Sequence, residues 1–148
     1  MNSALSCDRF IIIIRKFCIL PGRYDRMKSI EEKRVYMLLK AVIFHYHGLD
    51  EQEKKDLIKT AEELEAPDEY KWALDFVAQD YITAFDRARN YLNDIIGDYA
   101  KEKRIELINM VWQANNLKGY VTEMEATAML KLAKDWNVQR ELIDLVLK

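Results

Sequence analysis

Apolar side chains recur at three- and four-residue spacing through most of residues 29–147, the period of helices that bury one face. Over 29–46 the stripe is Val35, Leu38, Leu39, Val42, Ile43 and Tyr46. Ser29 followed by Glu32 reads as a capping box, hydroxyl and carboxylate each taking an amide the first turn leaves free. Gly48 follows as a stop. A second helix is predicted from Asp50, again with a glutamate three residues on (Glu53), and with Leu57, Ile58, Ala61 and Leu64 inward. Pro67 suits the first turn of a third helix, led by Trp72, Phe76 and Val77. The stripe then shifts phase near Gln79 and Asp80, which predicts a break before Ile82, Phe85, Ala88, Leu92 and Ile95. Beyond Gly97 a helix is expected over 98–116, with Ile105, Ile108, Val111 and Trp112 inward. Another starts at Thr122 with Glu125 completing its cap and Met129, Leu130, Ala133 and Trp136 as its stripe. A last one is expected to be capped by Asn137, with Val138, Leu142 and Leu145 on its apolar side.

Two of these helices are alike. Counted from Asp50 and Thr122, both have glutamate at the fourth position (Glu53, Glu125) and adjacent apolar residues four further on (Leu57-Ile58, Met129-Leu130). Both then have an alanine (Ala61, Ala133) and a bulky residue (Leu64, Trp136), and both follow a glycine, Gly48 or Gly119. The upstream helices also match, Val35 with Ile105, Leu38 with Ile108 and Val42 with Trp112. A duplicated helix pair folds its two copies around one core. The expected fold is therefore all-α, with about seven helices and two related helix–loop–helix units packed as one bundle over residues 27–148.

Four glycines and two prolines in 148 residues fit a helical chain, and the length suits one domain. The formal charge of −2 is uneven. Residues 1–26 hold five basic and two acidic side chains, +3, which leaves −5 for the remainder. A mildly acidic body matches phosphate backbones poorly, so nucleic acid is not the expected partner. The two cysteines, Cys7 and Cys18, make no disulfide framework, which fits a reducing, cytoplasmic setting. In the same stretch the apolar run at 10–14 is interrupted by Arg15-Lys16 before Phe17-Cys18-Ile19-Leu20. The charges break any secretory core, and a span of about 20 apolar residues is absent. Three readings of residues 1–26 stay open. The segment docks on the core, or residues 9–20 touch a membrane surface or a partner, or the natural chain starts at Met27. The mature N-terminus, read by mass spectrometry from the native host, separates the last reading from the others.

Candidate chemistry is sparse. His45, His47, Asp50 and Glu53 share one helix–loop–helix corner, and imidazole with carboxylate suits zinc or another divalent metal. The more economical reading gives Asp50 and Glu53 to the cap and sets the histidines at a helix C-terminus, where a protonated ring complements the dipole. Otherwise no cofactor is expected. Asn115, Asn116, Glu123 and Glu125 form the matching second corner, with the asparagines read as helix-terminating. No Asp-rich calcium loop and no glycine-rich phosphate loop occurs. The only serines, Ser3, Ser6 and Ser29, lie far along the chain from the histidine corner, so a nucleophilic triad is not expected and the chain reads as non-enzymatic. The tryptophans and Tyr81, Phe85 and Tyr91 read as core, and any aromatic left on the surface would mark a partner site.

Gly119-Tyr120-Val121-Thr122-Glu123-Met124-Glu125-Ala126, set between two amphipathic helices, resembles the signature of the tellurite-resistance TerB-like family, Asp-Gly-x-[Val/Ile]-[Ser/Thr]-x-x-Glu. His47-Gly48-Leu49-Asp50-Glu51-Gln52-Glu53 resembles a shortened second copy. The resemblance spans about residues 30–147. It implies an all-helical, non-enzymatic domain linked to stress and metal-oxyanion resistance and to protein assemblies near the membrane. Related domains occur in membrane-anchored DnaJ-like co-chaperones, and acidic loop residues are proposed to bind metal. The acidic residue that precedes the glycine in that signature is His47 in one copy and Lys118 in the other. Lysine there puts a fixed positive charge where a cation would sit.

Overall fold

A computed structural model describes residues 29–46 and 48–148. Residues 1–28, with the apolar 9–20 stretch, and His47 lie outside the described residues. Among those described, the chain forms seven α-helices and one short 3-10 turn, with no strand. They are α1 (Ile30–Tyr46), α2 (Glu51–Glu63), α3 (Pro67–Ala78), α4 (Ala84–Ile96), α5 (Lys101–Asn115), α6 (Glu123–Asp135) and α7 (Gln139–Val146).

The core is built around α1, which packs against α2, α3, α4 and α5. The sequence predicts one buried face here. Instead every residue from Val35 to Phe44 is buried, including Lys40. A helix with neighbours on all sides must be buried all round. Its start is fixed by Ser29, whose Oγ accepts from the Glu32 N–H at 3.0 Å, the one bond of the expected capping box among the described contacts. The Glu32 carboxylate lies 3.6 Å from Lys103 at the start of α5.

The duplication extends to three helices. Residues of α1 and α5 correspond at an offset of 70, and those of α2 and α6, each 13 residues long, at 72. The two extra residues fall in the α5–α6 loop, where the 3-10 turn Asn116–Lys118 takes them up. The glycines that precede each corner both adopt positive φ, +95° at Gly48 and +85° at Gly119, a conformation glycine reaches without the Cβ penalty. Both capping boxes are complete. The Asp50 and Thr122 side chains accept from the Glu53 and Glu125 amides, and those glutamates accept from the cap amides.

The correspondence at 72 then runs through the next turn. Glu65 and Asn137 are the two non-glycine residues with positive φ, +50° and +57°. After them the amide of Ala66 bonds the Ala61 carbonyl at 2.9 Å, and that of Val138 bonds the Ala133 carbonyl at 2.8 Å. This is the 6→1 bond that closes a helix end around a left-handed residue. Ala66 and Val138, both fully buried, then lead into α3 and α7. Asn137 is thus the turn residue, and Val138 stands at the cap position assigned to it from sequence.

The predicted break before α4 is real. Asp80 shapes it by accepting from the Ile82 amide at 3.0 Å and from the Thr83 hydroxyl at 2.8 Å. Ile82 sits in this turn and is exposed rather than inward. The buried stripe of α4 is Ala84, Ala88, Leu92 and Ile96, so it ends on Ile96 and not Ile95. Ile58 and Leu130, expected inward, are also exposed, at 46% and 48%. They sit 100° round the helix from buried Leu57 and Met129. Trp136 is buried, whereas Trp72 and Trp112 are partly covered and Tyr81 and Tyr120 are exposed.

Candidate functional site

The first corner uses its acidic residues for folding. Asp50 Oδ1 accepts from the Glu53 amide at 2.8 Å, and Glu53 Oε2 accepts from the Asp50 amide at 3.0 Å. Glu53 is buried at 2% exposure, and its carboxylate faces the cap. His45 lies in the last turn of α1, half-buried, with its ring tilted against Tyr81 at 5.7 Å. Burial lowers the His45 pKa below its ordinary value, which disfavours the protonated ring the dipole reading calls for. His47, the remaining candidate, lies outside the described residues. Among the described residues no three His, Cys, Asp or Glu side chains converge as a metal site would require.

At the second corner Glu125 completes the cap by accepting from the Thr122 amide at 2.8 Å, and its other oxygen pairs with the Lys118 ammonium. Glu125 is 1% exposed. The same ammonium lies 5.0 Å from the centre of the Tyr120 ring. Lys118 therefore neutralises the buried carboxylate itself. Asn115 ends α5 and its side-chain amide donates to the Val111 carbonyl at 3.0 Å, which agrees with a terminating role. Glu123 and Asn116 are exposed beside it.

Two further polar clusters hold helices together. Lys40, buried in α1, donates to Asp56 at 2.7 Å and to the Thr60 hydroxyl at 2.8 Å, both on α2. Arg89 on α4 grips Asp135 at the end of α6 with two nitrogens. Asn93 donates to that carboxylate at 2.9 Å and accepts from the Trp136 indole at 3.1 Å. The Arg89 hydrogen bond holds the Asp135 carboxyl below the ordinary carboxylate range.

What the corners lack is found beside the second one. An apolar groove of about 290 Å³ opens between α5, α6 and α7. Buried Met129 and Leu142 and partly buried Trp112 and Val121 line it, and Leu130, Ile143, Val146 and Leu147 are its exposed residues. Leu147 is 79% exposed and Ile143 48%. The first unit offers a reference for the same face. Its residues at an offset of 72 are Lys54 for Ala126, Lys71 for Ile143 and Asp75 for Leu147, all three exposed. The shared frame therefore tolerates charge at these positions, so their apolar character in the second unit is not demanded by folding.

Sequence reasoning read Leu130 as core and did not single out Ile143, Val146 or Leu147. Aligning the duplicated third helices would have revealed Ile143 and Leu147, which correspond to Lys71 and Asp75, but not Val146, which corresponds to Leu74. No protein family, no curated protein and no solved structure matches the chain. No described helix is long and apolar enough to cross a membrane.

Proposed function

We propose that the chain is a non-enzymatic, cytoplasmic TerB-like helical module that binds another protein through the α5–α6–α7 groove, in a stress or metal-oxyanion response. The observation that carries this reading is the exposed apolar rim of Leu130, Ile143, Val146 and Leu147. Contiguous apolar surface beside a formed cleft is the usual mark of a macromolecular contact. The TerB-like assignment rests on the two glycine–cap–glutamate corners, each with its capping box complete. Pull-down from the native host with the wild-type chain and with Ile143→Lys tests the groove. A partner retained by the first and lost by the second supports the reading, and equal capture refutes it.

The second reading, a divalent-metal domain at His47, Asp50 and Glu53, has in its favour that Asp50 and Glu53 meet in one cap. Because both carboxylates already serve the cap, zinc in excess should leave the melting temperature unchanged. A rise that disappears in a His47→Ala, Asp50→Ala variant would establish the metal site instead.

A further inference from the structure

Among the described residues the most exposed large apolar side chain is Ile82, at 94%, next to Tyr81 at 63%. Both sit in the turn between α3 and α4, and that turn is held firmly. Asp80 accepts from the Ile82 amide and the Thr83 hydroxyl. The Arg87 guanidinium donates to the Asp80 carbonyl, the Thr83 hydroxyl and the Gln79 side chain, and lies 4.8 Å from the centre of the Phe76 ring. Tyr81 leans on His45 at the end of α1. An isoleucine so exposed adds nothing to folding, yet its backbone is fixed in place. A side chain presented on a rigid turn loses little conformational freedom when it binds.

The groove is a matching socket. A cavity of about 150 Å³ takes a benzene-sized group, so about 290 Å³ has room for an isoleucine side chain and part of a tyrosine ring. Turn and groove lie on opposite sides of α6. Ala128 and Leu132 line a small cavity with Tyr46 and Phe85, which neighbour the turn, whereas Ala126 and Leu130 line the groove. Residues two apart, such as Ala126 and Ala128, stand about 200° apart round a helix. The turn therefore cannot enter its own groove, but that of a neighbouring copy is open to it. Charge favours the same match. Residues 75–87 carry Asp75, Asp80 and Asp86 against Arg87, a net −2. On α6 and α7, Glu125, Asp135 and Glu141 are paired with Lys118, Arg89 and Lys101. That leaves Lys131, Lys134 and Arg140 against Glu123 and Asp144, a net +1. Lys134 stands one turn beyond Leu130 and Arg140 one turn before Ile143, so both border the groove.

We infer that the Tyr81-Ile82 turn of one copy seats in the α5–α6–α7 groove of the next, so that the chain self-associates head to tail. A contact between two different faces leaves a free turn at one end and a free groove at the other, so it closes into a ring or continues as a filament. This rests on the groove being a recognition face, as in the proposed function, and a second copy and a separate partner then compete for it.

Sedimentation velocity of the purified full chain over a concentration series tests it, with Ile82→Asp, Ile143→Asp and an equimolar mixture of the two. The wild-type chain is expected to form species that grow past the dimer as concentration rises. Each variant should be monomeric where the wild type associates, its affinity lowered at least about tenfold by loss of a buried apolar anchor. The mixture should form a one-to-one dimer and stop there, because it retains one intact turn and one intact groove. A wild-type chain that stays monomeric would overturn the inference, and so would a monomeric mixture. Association untouched by Ile82→Asp but abolished by Ile143→Asp would also overturn it, since that sets groove against groove in a symmetric dimer. Ile82 is almost fully exposed, so its replacement leaves the core intact. Leu147→Asp, at a position 79% exposed, takes the place of Ile143→Asp if circular dichroism shows a loss of helicity. Failure of the module reading looks different: Ile143→Lys would capture the same proteins as the wild type, whatever the purified chain does alone.

Discussion

The two units share a frame and differ in what holds it. In both, a glycine with positive φ leads into a reciprocal cap, a 13-residue helix and a left-handed turn closed by a 6→1 bond. Between the first two helices, however, the first unit places Lys40, Asp56 and Thr60 where the second has Met110, Ala128 and Leu132. On the outer face the same contrast repeats: Lys54, Lys71 and Asp75 in the first unit stand where the second has Ala126, Ile143 and Leu147. One copy carries charge inside and charge outside, and the other is apolar at both places. Backbone geometry is thus set by caps and turns, while the side chains between them are free to diverge toward a polar lock or a binding face.

The largest effect should come from breaking the polar lock. Asp56→Ala leaves the Lys40 ammonium buried with only Thr60, and is expected to lower stability by about 2–3 kcal/mol in denaturant unfolding. Converting the cluster to the chemistry of the second unit, Lys40→Met with Asp56→Ala and Thr60→Leu, should return stability to within about 1 kcal/mol of the wild type. If the triple change is worse than the single one, the two interfaces are not interchangeable.

Arg89→Ala removes the bridge between α4 and α6, which has no equivalent at Glu63 in the first unit among the described contacts. A loss of about 1–2 kcal/mol is expected. Because the Asp135 pKa is depressed in the fold, its contribution is present above the ordinary carboxylate pKa and is lost as pH falls through the folded value. Asp135→Asn should therefore weaken the acid dependence of unfolding, and an unchanged profile would deny the pair this role. Thr122→Ala and Asp50→Ala should each cost about 1 kcal/mol, since each removes the same cap bond.

The smallest effect is confined to alkaline solution. Burial and the nearby Glu31 and Glu32 push the Tyr99 hydroxyl to about 12. The neutral phenol is favoured in the fold, so stability present below pH 10 falls as pH rises toward 12. Tyr99→Phe should flatten that decline in a pH series of melting temperatures.

Much of this frame was legible in the sequence where a local rule governs. The Asp50/Glu53 and Thr122/Glu125 boxes, the stops at Gly48 and Gly119 and the break at Asp80 each depend on residues within four positions of one another. Glu65 was not legible, because nothing marks a glutamate as left-handed until the turn around it closes. Lys40 carries no local mark of burial, because its partners lie 16 and 20 residues away on another helix. Ile58 and Leu130 were placed inward because adjacent apolar residues on one helix do not reveal which of them faces the core. The groove was hidden for a related reason. The apolar positions of α7 satisfy a helical stripe, and only the charged counterparts of Ile143 and Leu147 in α3, Lys71 and Asp75, distinguish a binding face from a core face.

The claim that matters most is that the rim of the groove serves recognition and not folding. The direct measurement gives the second unit the residues of the first, Ala126→Lys with Ile143→Lys and Leu147→Asp, and records far-UV circular dichroism alongside partner capture. Unchanged helicity with capture abolished is the predicted result. Loss of helicity, or capture as strong as that of the wild-type chain, would contradict the account.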